Sequence, residues 1–197
     1  MQQNPYATPV AELSESHAET PSFFVVSCSK LIIMNMGTLG YYSFYCYYKN
    51  WKNYKQASGA AIYPLARAFF SIIYIFPLLS LIHAKLKSQG DKPLCPPYLL
   101  ASLIIVLGFS EMLSEWLFSM PFSTAMRYGV IGAQIGWLIF VQRMINRAEG
   151  DPEGKGNSRL TPLNYFGVCV GLTLWVLIIY AITVLLMNGE LPFGIRL

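Results

Sequence analysis

Five long apolar runs divide the chain, at residues 31–48, 61–82, 98–118, 122–141 and 165–187. Each approaches the roughly 20 helical residues that a hydrocarbon core about 30 Å thick requires. The first contains no charged residue and ends among Tyr45, Tyr48, Lys49 and Trp51. Tyrosine and tryptophan settle where one ring edge meets water, so these residues read as interfacial anchors. Ahead of the runs, residues 1–22 have three glutamates, no lysine or arginine and no apolar stripe. That composition predicts a disordered polar tail, followed by a helical membrane domain over 23–197.

The run 61–82 differs from the others. Arg67 lies inside it, Pro77 interrupts it, and Tyr63, Arg67, Ser71 and Tyr74 fall at near-helical spacing on one face. Charge counts bear on its fate, because lysine and arginine in short loops favour the cytoplasmic side. Five crossings with the amino terminus inside place eight cations in the cytoplasm and four outside. Removing 61–82 from the crossings and placing the amino terminus outside gives ten against two, with Lys30 and Arg196 outside. The expected fold is therefore an all-α membrane protein of four transmembrane helices, 31–48, 98–118, 122–141 and 165–187, plus one interfacial or re-entrant helix over 61–82. Arg67 would reach the headgroups, and both termini would be periplasmic.

Composition agrees with a membrane protein. Of 197 residues 54% are hydrophobic and 12% charged, too little polar surface for a soluble chain. The net charge of +4 sits in short loops beside apolar runs, which explains it by membrane orientation and not by nucleic-acid binding. Cys28, Cys46, Cys95 and Cys169 have no metal-binding or disulfide spacing, and His17 and His83 lack the company that a metal requires. No metal site and no cofactor is expected.

The segment from Gly40 to Trp51, GYYSFYCYYKNW, preceded by Lys30 and Thr38, resembles the signature of an uncharacterised family of small bacterial inner-membrane proteins. In that family a lysine, an apolar run, a Thr-x-Gly-x-Tyr turn and an aromatic-rich Tyr-Lys-Asn-Trp recur near the amino terminus. Asn4-Pro5-Tyr6-Ala7 and Pro64-Leu65-Ala66-Arg67-Ala68-Phe69-Phe70 are similar to it too, while Cys46 stands where the pattern has tryptophan. The resemblance covers roughly the first third of the chain. It implies a multi-pass protein of the bacterial inner (cytoplasmic) membrane and supplies no reaction.

Candidate chemistry lies at ionisable or polar positions inside the apolar runs, where a charge is costly. Glu111 and Glu115 share a helix face, and reflecting the hairpin about residue 120 brings Arg127 level between them. These three read either as a cation or proton site of a small transporter or channel, or as an ion pair that fixes the hairpin. Gln134 is suited to an interhelical hydrogen bond or a substrate contact. Gly132 with Gly136, and Gly167 with Gly171, place small residues at helix-packing spacing, within the chain or against a second copy or membrane-protein partner. The loop 146–161 lacks the order of a phosphate-binding loop and reads as a flexible linker. No nucleophile is set beside a base, so the expected role is non-catalytic, in the lipid bilayer, packed with itself or another membrane subunit.

Overall fold

The computed structural model describes residues 21–117 and 122–188. Among these, seven α-helices and one 3₁₀ turn at Lys155–Asn157 follow a short irregular segment, and no strand is present. In chain order the helices are α1 (Cys28–Gly37), α2 (Tyr41–Ser58), α3 (Pro64–Phe69), α4 (Ser71–Ser88), α5 (Pro97–Leu117), α6 (Phe122–Ala148) and α7 (Pro162–Asn188).

The run 31–48, expected to cross in one piece, is instead two helices. Leu39 has φ 53 and Gly40 φ 85, left-handed values that end α1 and turn the chain back. Side chains hold the turn. Thr38 Oγ1 donates to the Met34 carbonyl at 2.6 Å and accepts from the Tyr42 amide at 3.1 Å. Ser43 donates to Asn35 Oδ1 at 2.6 Å, and the Gly40 amide donates to the Asn35 carbonyl at 2.8 Å. Leu31 and Met34 of α1 pack with Tyr42 and Cys46 of α2 as an antiparallel pair. α1 spans only about 15 Å at 1.5 Å per residue, so the pair goes out and returns.

The run 61–82 is also broken. Phe70 (φ −91, ψ 39) separates α3, which packs on α2, from α4, which packs on α5 and α6. Pro77 lies within α4. The last three runs form the helices expected of them, with α6 continuing to Ala148, past the expected end at 141. Among the described residues two helices are long and apolar enough to cross a membrane, Thr124–Ala148 and Pro162–Leu185, and α5 adds a shorter apolar stretch, Pro97–Ser110. α7 packs on α1 alone among the described helices, and most of its apolar side chains are exposed.

One end of the molecule gathers the start of α1, the later half of α2, the carboxyl ends of α4 and α6 and the beginning of α7. The Lys85–Glu149 ion pair (2.9 Å), the Gln89 Nε2 bond to the Ala148 carbonyl (2.9 Å) and the Lys30 Nζ bond to the Arg159 carbonyl (2.7 Å) define this end. Lys30 thus lies on the same side as the loop after α6, not on the side opposite it, because α1 and α2 double back. The main apolar core, with Phe23, Trp51, Leu79, Ile82 and Ile145 at its centre, sits behind this end.

Candidate functional site

Residues 21–27, PSFFVVS, belong to no helix or strand and bend at Ser22 and Phe23, and Phe23 and Val26 are fully buried among helices. An irregular backbone inside a helical bundle has no ladder to join, and each buried amide or carbonyl left alone is costly. Side chains of the surrounding helices fill that need. The Phe24 amide donates to Asn50 Oδ1 at 2.9 Å, and Gln142 Nε2 donates to the Phe24 carbonyl at 3.0 Å. The Val26 amide donates to Asn146 Oδ1 at 3.3 Å while Asn146 Nδ2 donates to the Val26 carbonyl at 2.9 Å, a paired recognition of one residue's backbone. Asn157 Nδ2 donates to the Val25 carbonyl at 2.9 Å. Glu149 accepts from the amides of Ser22 and Phe23 and from Lys85. Residues 21–27 are a strap read through its backbone.

The loop after α6, expected to be a flexible linker, is shaped by the same strap. Asp151 accepts from the Lys155 amide at 3.0 Å and the Gly156 amide at 2.8 Å. Those amides hold the Asp151 carboxyl below its usual range. Gly154 (φ 68) brings its backbone against Val26 and Ser27, where a β-carbon would collide with the strap. Lys30, in the first turn of α1, is only 4% exposed and donates to Asn157 Oδ1 and the Arg159 carbonyl, both at 2.7 Å. A cavity of about 670 Å³ lies here, bounded by the strap, Lys30, Met34, Tyr42, Tyr45, the loop and the first turn of α7.

The resemblance residues are structural hinges of this region. Lys30 and Asn50 tie the strap and loop, while Thr38, Gly40 and Tyr42 make the α1–α2 turn. Trp51 is fully buried, and the Arg67 guanidinium lies 4.4 Å from its ring centroid and 5.0 Å from that of Tyr74. The Arg67 cation, expected to reach the headgroups, thus lies within cation–π distance of two rings set edge to face. Of the other expected anchors, Tyr45 is partly exposed and stacks with Tyr42 (5.6 Å), Lys49 lies over the Phe24 ring (5.6 Å) and Tyr48 is half-buried.

Among the polar candidates inside the runs, Glu111 and Glu115 fall on the last two turns of α5, with side chains outside the described residues. Arg127 and Gln134 lie on α6, antiparallel to α5, and neither lines the cavity beside Lys30. The two glycine pairs behave differently. Gly171 lies against the Gly37 carbonyl of α1, where a methyl group would overlap it, and Gly167 faces Thr38. The contact joins α7 to α1, not to α6. Gly132 and Gly136 face open space. The strap-binding residues Gln142, Asn146 and Glu149 were not foreseen, although their spacing of four and three puts polar groups on one side of the end of α6 and the residue after it.

Among the described residues no group of three or more histidine, cysteine or acidic side chains is placed to hold a metal. In comparisons with family models, curated proteins and solved structures, none matched the chain.

Proposed function

We propose that this is a non-catalytic integral protein of the bacterial inner membrane, in which α5, α6 and α7 cross the bilayer and α1 to α4 with the strap form a platform at its cytoplasmic face. The observation that carries the reading is the distribution of cations. Outside the apolar runs, Lys30, Lys49, Lys52, Lys55, Lys85, Lys87, Lys92, Arg143, Arg147, Lys155 and Arg159 all belong to elements of the strap end. Eleven described cations on one side is a stronger positive-inside bias than either count drawn from five unbroken runs. Three crossings replace four because the first run turns back at Leu39 and Gly40. The apolar exterior of α7 and the open glycines of α6 support lipid and a second membrane subunit, or a second copy, as partners.

Cysteine accessibility tests the arrangement. In a variant lacking the four native cysteines, Ser158→Cys should react with a membrane-impermeant maleimide only after the cells are opened, and Met187→Cys should react in intact cells. Labelling of Ser158→Cys from outside refutes the topology. Release of the native chain from membranes by alkaline carbonate refutes integral insertion altogether.

A further inference from the structure

The cavity beside the strap borders a buried cation that no described carboxylate pairs. Lys30 is almost fully buried, yet its ammonium meets only neutral acceptors, Asn157 Oδ1 and the Arg159 carbonyl. No carboxylate among the described residues lies within ion-pair distance of it. Glu149 and Asp151 also border the cavity, but Glu149 is engaged by Lys85 and the strap amides, and Asp151 by the amides of Lys155 and Gly156. Lys30 also stands in the first turn of α1, where the helix presents its own positive end. The two hydrogen bonds satisfy two of the three ammonium donors and leave its charge unpaired, so an anion reaching it there would be favoured.

The walls indicate what kind of anion. Met34 of α1 and Leu163 of α7 supply an apolar side, and Tyr42 and Tyr45 supply aromatic surface. Leu163 belongs to the first turn of α7, and from there α7 is apolar and exposed for most of its length. A bound molecule with a charged head at Lys30 would therefore find a continuous apolar path beside α7. We infer that this cavity binds the phosphodiester headgroup of a membrane glycerophospholipid, with its phosphate against Lys30 and its acyl chains leaving along α7. Independently of that assignment, burial holds the Lys30 ammonium below the usual lysine range, and a bound phosphate would raise it again.

The inference rests on the membrane topology proposed above, and its test is separable from it. The full-length protein, delipidated in mild detergent, is titrated with phosphatidylglycerol and followed by native mass spectrometry. Parallel titrations use diacylglycerol, which lacks the phosphate, and inorganic phosphate, which lacks the chains. The expected result is one retained phosphatidylglycerol per chain, with neither diacylglycerol nor inorganic phosphate competing at matched concentration. Lys30→Met should weaken retention about 10- to 100-fold, the range for a lost charge-assisted hydrogen bond. Leu163→Trp, at a mostly exposed position lining the cavity, should narrow the cavity and weaken retention with Lys30 intact. Equal retention by native protein and both variants overturns the site. Equal competition by diacylglycerol shows that the headgroup is not read, and equal competition by inorganic phosphate shows an anion site without lipid. Either result overturns the lipid assignment. Carbonate extraction of Lys30→Met keeps the two readings apart, since a variant that has lost lipid and remains in the membrane implicates the cavity alone.

Discussion

Asn146→Ala isolates the strap's attachment. Asn146 is fully buried, and its amide satisfies both backbone groups of Val26, accepting at 3.3 Å and donating at 2.9 Å. Alanine leaves an unpaired N–H and an unpaired carbonyl in the interior and removes one acceptor from Gln142. An unsatisfied buried group costs about 1–3 kcal/mol, so the two together cost about 2–6 kcal/mol. The long 3.3 Å bond argues for the lower half of its range and the 2.9 Å bond for the upper, giving about 4 kcal/mol. If the strap opens locally, its opening equilibrium shifts by that amount, roughly 10³-fold at 1.4 kcal/mol per decade. Hydrogen exchange of peptides covering 23–27, measured in detergent, reads this directly. Asn146→Asp is the informative companion, because it keeps an acceptor for the Val26 amide and loses the donor to the Val26 carbonyl. Exchange in Asn146→Ala within threefold of the native rate refutes the claim that backbone recognition holds the strap.

Two further predictions follow from the same geometry. Gly171→Leu should separate α7 from α1, because its side chain must occupy the space of the Gly37 carbonyl; the Trp175 indole, which donates to the Met36 carbonyl at 3.0 Å, should then shift in fluorescence with no change in oligomer size by native mass spectrometry. A change in subunit number with unaltered Trp175 emission would show that the contact lies between chains. The Asp151 carboxyl is held below its ordinary 3.8 by the amides of Gly156 and Lys155, so its contribution to the loop is fully present above that value and is lost as pH falls through the lower, folded-state value. Protease nicking within 151–158 should accordingly be flat from pH 7 to pH 5 and rise only in stronger acid, whereas Asp151→Ala should be nicked readily throughout; a rise already at pH 5 in the native chain contradicts the sign of this shift.

The parts of the fold legible in the sequence were those set by apolar length. The runs 98–118, 122–141 and 165–187 became α5, α6 and α7 with starts within three residues, since a long charge-poor run has few alternatives to a helix. The break at 38–40 could not be read from apolar length, because glycine is tolerated within apolar helices and Leu39 carries no mark of its positive φ, although the resemblance includes a Thr-x-Gly-x-Tyr turn at Thr38, Gly40 and Tyr42. The strap was hidden for a different reason. Its partners Asn50, Gln142, Asn146 and Asn157 are individually ordinary polar residues, and only their convergence on one backbone gives them a role. The boundary drawn at residue 22 nevertheless fell within the strap, where composition changes from acidic and proline-containing to aromatic and β-branched.

The turn at Leu39 and Gly40, the strap and the charge distribution constrain one another. Were α1 and α2 a single straight crossing, Lys30 and Lys49 would lie at opposite ends of a helix about 29 Å long. Instead the Phe24 amide reaches Asn50, and Lys49 lies over the Phe24 ring, only six residues from Lys30 along the chain. The strap can bond to α2 and α6 together only if α2 has returned to the end from which α1 departed. That return places Lys49, Lys52 and Lys55 with Lys85, Arg147 and Lys155, so a local property of two backbone torsions decides at which end of the molecule the later half of α2 lies. Substituting Gly40 by a β-branched residue disfavours the left-handed torsion and attacks the turn itself. The strap and the placement of the start of α1 should therefore fail together, and labelling of Ser29→Cys, at an exposed position of α1, and exchange at 23–27 are the paired measurements that would show it.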